Sequence, residues 1–207
     1  CAEHVPDAII DGVRDALAAD PHLQFIITGD ESIVAPFANL HDRCIAHPTT
    51  EVIAMDDHPA QAVRSKKDSS IVVGCGLVKE GRADAFFSAG STGAAMAAAT
   101  LGMGRIKGVA RPAIATVIPT STHPLVLLDV GANADVKVEN LVQFGHMGAA
   151  YARIILKIAK HRVALLNIGE EPTKGSILAQ EAHAAMAVEV PGFVGNAEGR
   201  DVTTGTA

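Results

Sequence analysis

The chain has 207 residues, enough for one large domain or two small ones, and 48% of them are apolar, which supplies a sizeable core. Aromatic residues make up only 3% and Trp is absent, which argues against a protein that stacks nucleic-acid bases on aromatic side chains. The formal net charge of -6 likewise argues against nucleic-acid binding by the molecule as a whole.

Helical and strand patterns alternate along the first half of the chain. Ser69 or Ser70 is a typical cap for the last predicted helix of this half, and Gly81 is a typical end for it. The predicted elements are a helix at residues 8–17, a strand at 23–27, a short helix and a strand (52–54) within 31–55, a surface loop or helix at 58–68, and a helix at 70–80.

The second half continues the alternation. Its predicted elements are a strand at 84–87, a helix at 92–101, strands at 112–118 and 124–130, a long helix at 138–160, a strand at 162–168, a helix near 175–188 and a strand at 192–195. The short link at 119–123 suits a hairpin, so part of the sheet is expected to be mixed. The alternation predicts an α/β fold, and we predict a single domain over residues 1–207 because no low-complexity linker divides the chain.

Four apolar runs each lead into a turn of small residues. These turns are SAGSTG at 88–93, GAN at 131–133, NIG at 167–169 and GN at 195–196. In an open parallel sheet such turns collect outside the carboxyl ends of the strands, where ligands bind. Glycine lets the backbone approach an anion closely, and the free N–H groups of a following helix supply partial positive charge. Four such turns in one chain predict a phosphate-binding cleft.

Cysteine and histidine residues follow no disulfide or metal-binding pattern. Cys1, Cys44 and Cys75 form no CxxC pair, and their odd number indicates a reducing, cytoplasmic compartment. The nine histidines include no HExxH-type pair, so neither a metal site nor a cofactor is predicted. No apolar run approaches the length of about 18 residues that a membrane-spanning helix needs.

Several further segments accompany the glycine turns in a fixed order. They are Arg64 with KKDSS at 66–70, SAGSTGA at 88–94, GRIKG at 104–108, RP at 111–112, LLDVGAN at 127–133, LNIG at 166–169, and GNAE at 195–198 followed by Arg200 and Asp201. With these segments the chain resembles the PlsX family, the bacterial phosphate acyltransferases of phospholipid synthesis. The match runs from about residue 4 to residue 207, so it is far more specific than any single glycine motif.

The resemblance implies a doubly wound α/β fold, with a mostly parallel sheet flanked by helices as in the isopropylmalate dehydrogenase and phosphotransacetylase group, and usually a homodimer. It implies transfer of a fatty acyl group from acyl-[acyl carrier protein] to inorganic phosphate, which gives acyl phosphate. The family's opening strand and its C-terminal third, with an amphipathic hairpin that touches the membrane, have no counterpart in this sequence. We therefore expect a chain incomplete at both ends, in the cytoplasm or at the inner face of the membrane.

Phosphate is itself the nucleophile in such a reaction, which fits a chain without a GxSxG motif or a nucleophilic-cysteine signature. Positioning and electrostatic stabilisation then carry the catalysis. The residues predicted to bind phosphate are Ser88, Gly90, Ser91, Thr92, Gly93, Asn196 and Arg200. The alternative for the 88–93 turn is a tight turn with an N-cap, and for Arg200 it is a bridge to Glu or Asp.

Four residues are predicted to act on the reacting carbonyl or on phosphate: Lys174, Asn133, Asn167 and Asp129. Lys174 precedes a predicted helix start, where positive charge does not stabilise the helix, so a ligand role competes with simple pairing to Glu170 or Glu171. The asparagines can direct amides at a ligand or bond locally within their turns. Asp129 can orient a donor, act as a base or cap the next helix.

Basic residues occur in two groups on an otherwise acidic chain and are predicted to dock the acidic acyl carrier protein. These residues are Arg64, Lys66, Lys67, Arg105, Lys107 and Arg111. The alternative is a solvated basic surface without a partner.

Two other functions remain open at this point. The same fold suits a coenzyme A-dependent phosphate acyltransferase similar to phosphotransacetylase, and a truncated relative can serve as a non-catalytic binding or oligomerisation module. A nicotinamide dehydrogenase is disfavoured, because no GxGxxG motif opens a βαβ unit with an acidic residue about 20 residues further on.

Overall fold

The computed structural model describes residues 5–121, 123–133 and 135–205, and the chain divides into two units, Cys1–Gly104 and Arg105–Ala207. The helices are α1 (Val5–Ala19), α2 (Glu31–Ala38), α3 (Pro59–Ser65), α4 (Ser70–Lys79), α5 (Thr92–Ala98) with a π-helical turn (Ala99–Met103), α6 (Val138–Ile154), α7 (Ile177–Glu189) and α8 (Gly199–Thr204). The strands are β1 (Phe25–Gly29), β2 (Cys44–Pro48), β3 (Ala115–Ile118), β4 (Leu125–Leu128), β5 (Val163–Leu166) and β6 (Phe193–Ala197).

A parallel pair of strands organises the start of the first unit. The apolar run of β1 pairs with β2 in an unbroken parallel register. Helix α2 between them begins after Asp30, whose carboxylate caps the helix by accepting a hydrogen bond from the backbone N–H of Ser32 at 2.9 Å. The apolar stripe of α1 closes this core, whose buried members are Val13, Leu17, Phe37 and Cys44.

A second core in the first unit joins α3, α4 and α5 through mostly small side chains. A close approach is required at Gly74 of α4, because a Cβ there would lie 2.3 Å from the ring of Phe86. Ser69 precedes α4 as predicted, but its hydroxyl donates to the carbonyl oxygen of Lys66 at 2.8 Å and does not cap the helix. The buried members of this core are Ile53, Ala62, Val63, Ile71, Cys75, Ala94 and Ala98.

The second unit combines a hairpin with a parallel strand pair. Strands β3 and β4 are antiparallel, with Ala115 opposite Leu128. Strands β5 and β6 are parallel, with an irregularity in register between Val163 and Leu165. Helix α6 links β4 to β5 and packs against α7, β4 and β5. The buried core residues of this unit are Val142, Met186 and Val190.

The predicted α/β class is confirmed, and so is the hairpin. Within the described ranges the strands form three two-stranded ladders, two parallel and one antiparallel. Segment 58–68 contains helix α3, and Ala62 and Val63 of that helix are buried. Cys1 and Thr122 of the hairpin link lie outside the described residues. The two ends of the chain, where the sequence predicted a cut, also lie outside them. The single domain over residues 1–207 stays a prediction.

The strand predicted at residues 84–87 is wrong. These residues pair with no described strand, although they are apolar. Phe86 packs against the core of the first unit, whereas Phe87 is 86% exposed. One partly buried ring therefore anchors an irregular segment that pairs with no described strand.

Two other boundaries differ from the prediction. The strand predicted at residues 52–54 is wrong: the strand that follows α2 is β2 at Cys44–Pro48, and Val52 is 70% exposed outside any strand. Helix α6 ends at Ile154 and not near residue 160. Lys157 adopts a positive φ of 60°, and the backbone N–H of Ile158 donates back to the carbonyl oxygen of Ala152 at 3.0 Å, which breaks the helical pattern.

Candidate functional site

Two of the four predicted turns come together at the carboxyl end of β5 and β6 in the second unit. Asn167 directly follows β5, and its backbone N–H donates to the carbonyl oxygen of Ala197 at 2.8 Å. Asn196 lies within β6, where it pairs with Leu165 across the parallel ladder. Parallel pairing thus places both asparagines at the same end of the strand pair, as the sequence predicted.

Both asparagines fasten the loop of residues 170–175. The Nδ2 amide of Asn167 donates to the carbonyl oxygen of Lys174 at 3.0 Å, and that of Asn196 donates to the carbonyl oxygen of Glu171 at 2.9 Å. The Oδ1 atom of Asn167 accepts the backbone N–H of Ile168 at 2.9 Å. A primary amide has two N–H donors, so these bonds leave each Nδ2 with a second hydrogen for a ligand.

The loop closes on Asn167 so tightly that two glycines are required. Gly175 has a φ of +85°, and a Cβ there would lie 2.3 Å from Oδ1 of Asn167. A Cβ on Gly169 would lie 2.8 Å from Cγ of Lys174. The small-residue pattern of this turn therefore reflects close packing of the loop against the strand end.

Lys174 presents an uncompensated positive charge at this loop. Its side chain is exposed, and its ammonium group makes no hydrogen bond or ion pair with any described residue. The backbone N–H of Lys174 donates to the carbonyl oxygen of Glu171 at 3.0 Å, which fixes the start of the side chain. Helix α7 begins just beyond it, and its N-cap Ser176 accepts the backbone N–H of Ala179 at 3.2 Å. The predicted pairing of Lys174 with Glu170 or Glu171 does not occur among the described residues.

Arg200 is bound by carboxylates in this structure. Its NH2 group lies 2.9 Å from Oε1 of Glu170, and its Nε lies 3.3 Å from Oε2 of Glu198. The hydrogen bond that Arg200 donates to Glu170 and the charge of Glu198 raise the pKa of the Arg200 guanidinium. This is the bridging alternative that the sequence left open, so a phosphate ion at Arg200 has to compete with Glu170.

Asp129 and Asn133 form a separate tie after β4. The Nδ2 group of Asn133 donates to Oδ1 of Asp129 at 2.8 Å and to the carbonyl oxygen of Pro112 at 3.0 Å. Both of its N–H donors are therefore used within the protein, and its Oδ1 is the atom left for a ligand. Asp129 has a positive φ of 61°, which is unfavourable for a residue with a side chain. Residues in such strained backbone conformations cluster at functional sites.

The 88–93 turn belongs to the first unit and caps α5. The Oγ of Ser91 accepts the backbone N–H of Ala94 at 3.3 Å, and the Oγ of Ser88 accepts that of Gly90 at 3.1 Å. Ser91 is buried, and a Cβ on Gly93 would lie 2.9 Å from Cγ of Pro59. Both serine hydroxyls therefore serve the turn itself, and the N-cap alternative describes what these side chains do here.

The six basic residues predicted to dock a carrier protein fall into two groups by their contacts. Arg64 and Lys107 are exposed and have no partner among the described residues. Lys66 is held by Oδ2 of Asp57 at 2.5 Å and by the carbonyl oxygen of Val52 at 2.8 Å. The other three donate to backbone carbonyl oxygens: Lys67 to that of Val63, Arg105 to that of Ala110 and Arg111 to that of Asp135.

His183 and Gln180 of α7 belong to the site, and the sequence did not indicate either. Nδ1 of His183 lies 3.1 Å from Oδ1 of Asn196, and its ring packs edge-on against Phe193 with a centroid distance of 5.2 Å. Gln180 donates to the carbonyl oxygens of Thr173 and Gly175 at 2.9 and 3.3 Å. No local pattern marks these residues, because their partners are reached only through the packing of α7 against β6.

No helix within residues 5–121, 123–133 and 135–205 combines the length and the apolar character needed to cross a membrane. In the same part of the chain no group of three or more His, Cys, Asp or Glu side chains has the arrangement to hold a metal ion. The described cysteines, Cys44 and Cys75, are free and buried, and burial raises the pKa of both thiols.

The fold is of the α/β class, and this loop cluster brings an exposed lysine and two strand-end amides together. Residues 1–207 match the family described as "Fatty acid synthesis protein", and the chain belongs to this family, which confirms the resemblance noted in the sequence. It is 50% identical over 210 residues to a protein of Heliobacterium modesticaldum named phosphate acyltransferase, an alignment that covers 99% of this chain and 62% of the relative.

Other relatives carry the same name. The chain is 49% identical to a phosphate acyltransferase of Desulfitobacterium hafniense, with 99% of this chain and 62% of the relative covered. It is 44% identical to one of Campylobacter jejuni, with 95% and 60% covered. The chain thus spans about three fifths of the length of the curated relatives it matches.

Proposed function

We propose that the protein containing this chain is a phosphate acyltransferase, which transfers a fatty acyl group from acyl-[acyl carrier protein] to inorganic phosphate and so gives acyl phosphate for phospholipid synthesis. The observation that carries the proposal is the ammonium group of Lys174, which pairs with no described residue, on a loop that Asn167 and Asn196 fix at the end of β5 and β6. Similarity to proteins named phosphate acyltransferase over nearly the whole chain supports it.

In the proposed reaction a phosphate oxygen attacks the thioester carbonyl carbon and forms a C–O bond. The carbonyl π electrons move to its oxygen to give a tetrahedral oxyanion, which collapses with cleavage of the C–S bond and releases the carrier thiolate. Lys174 stabilises the oxyanion or the phosphate through its charge. The free N–H of each strand-end amide, from Asn167 and Asn196, adds a hydrogen-bond donor. No side chain has to act as a nucleophile, which fits the buried state of Cys44 and Cys75.

The remaining site assignments belong to the same proposal. Asn133 and Asp129 act as a fixed pair that presents an oxygen acceptor after β4. Ser88, Gly90, Ser91, Thr92 and Gly93 in the first unit, and Arg200 in the second, are proposed phosphate ligands. Both serine hydroxyls accept a hydrogen bond within the 88–93 turn, and each keeps its O–H hydrogen as a donor for phosphate beside the backbone N–H groups of the turn.

The whole protein is proposed to be a doubly wound α/β enzyme and a homodimer, located in the cytoplasm with peripheral contact to the membrane. Its acidic partner, the acyl carrier protein, is proposed to dock on the basic residues, of which Arg64 and Lys107 are unpaired among the described residues. No cofactor is required by the reaction as written.

The test is release of carrier thiol from acyl-[acyl carrier protein] by the full-length protein, with and without inorganic phosphate. We expect phosphate-dependent release, and a loss of about a hundredfold or more in kcat for Lys174→Ala, because a donor aimed at an oxyanion contributes about that much. Lys79→Ala, another exposed lysine remote from the 170–175 loop in sequence, is the matched control and should keep full activity. Wild-type activity in Lys174→Ala would remove Lys174 from the mechanism.

Two arms of the same assay address the alternatives. Equal or better turnover with acyl-coenzyme A would favour a coenzyme A-dependent phosphate acyltransferase. Binding of the carrier without any phosphate-dependent release would favour a non-catalytic binding module.

A further inference from the structure

The second unit contains a cavity of about 400 Å³ whose lining shares only Asp129 with the residues proposed for the reaction. It lies under helix α6 and between strands β4 and β5. These two strands share no neighbour among the described strands. Its walls are mainly aliphatic and aromatic, with Leu125, Leu127, Phe144, Ile158 and Leu165 among them. The volume falls in the range of about 300–1,000 Å³ that is typical of small-molecule sites.

Small residues of α6 make room for this cavity. Gly145, Gly148, Ala149 and Ala152 all line it, and their spacing of three, four and seven residues places them on one helix face. The space is closely bounded at Gly148, where a Cβ would lie 3.0 Å from Cδ1 of Leu128. The cavity therefore depends on side chains that are small at these positions.

The cavity has a basic end, formed by residues 160–162 directly before β5. His123 precedes β4, and Lys160, His161 and Arg162 precede β5, and all four line the cavity. Helix α6 connects the end of β4 to the start of β5, and these two strands do not pair with each other among the described strands. Asp129, in contrast, lines the cavity at the carboxyl end of β4.

The basic end also contains a buried polar atom without a partner. Nδ1 of His161 is buried and has no hydrogen-bond partner among the described residues. A buried ring nitrogen usually has a partner, because leaving it unsatisfied is unfavourable. Lys160, beside it in sequence, is exposed, and its ammonium group makes no hydrogen bond or ion pair with the described residues. Both groups are therefore available to an anion.

We propose that this cavity binds a single-chain amphiphile with an anionic head, such as a fatty carboxylate or an acyl phosphate. Its hydrocarbon chain occupies the space between β4, β5 and α6, and its head lies against Lys160 and Nδ1 of His161. The basic end fits an anion and the apolar walls fit a hydrocarbon chain. The proposed ligand site is thus at the end of the strands remote from Asn167 and Asn196.

The test measures binding of dodecanoate to the full-length protein by calorimetry. The dodecanoate concentration stays below that at which it forms micelles. We expect saturable binding, about tenfold weaker for decanoate because two fewer methylenes are buried. Dodecanol, which has the same chain without the charge, should bind several-fold more weakly at low salt. No saturable binding of dodecanoate would overturn the proposal.

Variants separate the chain from the head. Ala149→Phe fills the cavity and should weaken both probes at least tenfold, whereas Ala187→Phe, on an exposed position of α7, should not. Lys160→Gln and His161→Phe should remove the preference for dodecanoate over dodecanol and leave dodecanol binding unchanged. Thermal melting checks that each variant is folded. The assignment is contradicted if Ala149→Phe binds dodecanoate as the wild type does. It is also contradicted if Lys160→Gln with His161→Phe keeps the preference for dodecanoate over dodecanol. Neither result depends on acyltransferase activity.

Discussion

Gly175 is the residue on which the geometry of the Lys174 loop depends most directly. Its positive φ and the 2.3 Å approach of a Cβ to Oδ1 of Asn167 both exclude a side chain. We expect Gly175→Ala to lower the free energy of unfolding by about 1–2 kcal/mol from backbone strain alone. It should also lower kcat, because displacing Asn167 releases its hydrogen bond to the carbonyl oxygen of Lys174.

Urea denaturation and the phosphate-dependent thiol assay measure the two effects of Gly175→Ala. Gly199→Ala is the matched control, since Gly199 has no neighbour within 4 Å of an added Cβ and needs no positive φ. A Gly175→Ala protein as stable and active as the wild type would show that the loop is not held in this conformation.

Glu170 decides whether Arg200 can take part in phosphate binding. The pair is 2.9 Å apart and well exposed, so the carboxylate occupies the guanidinium that a phosphate ion would need. We expect Glu170→Gln to lower the KM for phosphate several-fold at low ionic strength, because Arg200 then has one fewer competing charge. Glu181→Gln, at an exposed position of α7, is the control. An unchanged or higher KM in Glu170→Gln would assign Arg200 to holding the loop instead of binding phosphate.

At the scale of elements, Asp57 attaches the segment after β2 to helix α3. A hydrogen bond from Lys66, and a second from the backbone N–H of Ala54, hold the pKa of Asp57 below its ordinary value of 3.8. A carboxyl group with a lowered pKa in the folded state stabilises the protein above its ordinary pKa. That contribution is lost as the pH falls through the lowered pKa of the folded state.

We therefore expect Asp57→Asn to lower the urea midpoint at neutral pH. The difference from the wild type should shrink as the pH falls below 3.8, where the wild-type carboxyl group also becomes protonated. Asp56→Asn, its exposed neighbour, is the control for a change of net charge. A difference that stays constant down to the lowest pH at which the protein is folded would contradict this origin.

Elements with a long periodic pattern were predictable from the sequence, and short apolar runs were not. Helices α1 and α7 extend over 15 and 13 residues, which is enough for their periodic patterns to specify them. Residues 84–87 carry a strand-like run of only four residues, and burial of a single ring at Phe86 satisfies it without pairing. Periodicity cannot separate these outcomes in so short a run.

The candidate site shows the same division. The turn chemistry of glycine and asparagine marked residues 167–169 and 195–196, because strained or closely packed backbone restricts the residue type there. The partners of those residues were not predictable. Asn196 bonds Glu171, 25 residues away, and His183, 13 residues away, and only the packing of α7 beside β6 creates these contacts.

For the whole molecule, the net charge of -6 means that an acidic partner is attracted only by local groups of basic residues. The six predicted docking residues differ in whether their charged groups already have a partner within the protein. Lys66 is neutralised by Asp57, whereas Arg64 on the same segment is exposed and unpaired among the described residues. Arg64 therefore has its charge available for long-range attraction, and Lys66 serves the fold.

We expect Arg64→Ala to raise the KM for acyl-[acyl carrier protein] several-fold at low ionic strength and to leave kcat unchanged, because steering acts on association. The effect should fade as salt shortens the Debye length to about 3 Å near 1 M. Lys66→Ala should instead lower the urea midpoint, since it removes the partner of Asp57. Arg14→Ala, which loses only an exposed pair with Asp11 on α1, is the control for charge. An equal rise in KM in Arg14→Ala and Arg64→Ala would show that Arg64 makes no specific docking contact. A rise in KM that persists at high salt would contradict electrostatic steering by Arg64.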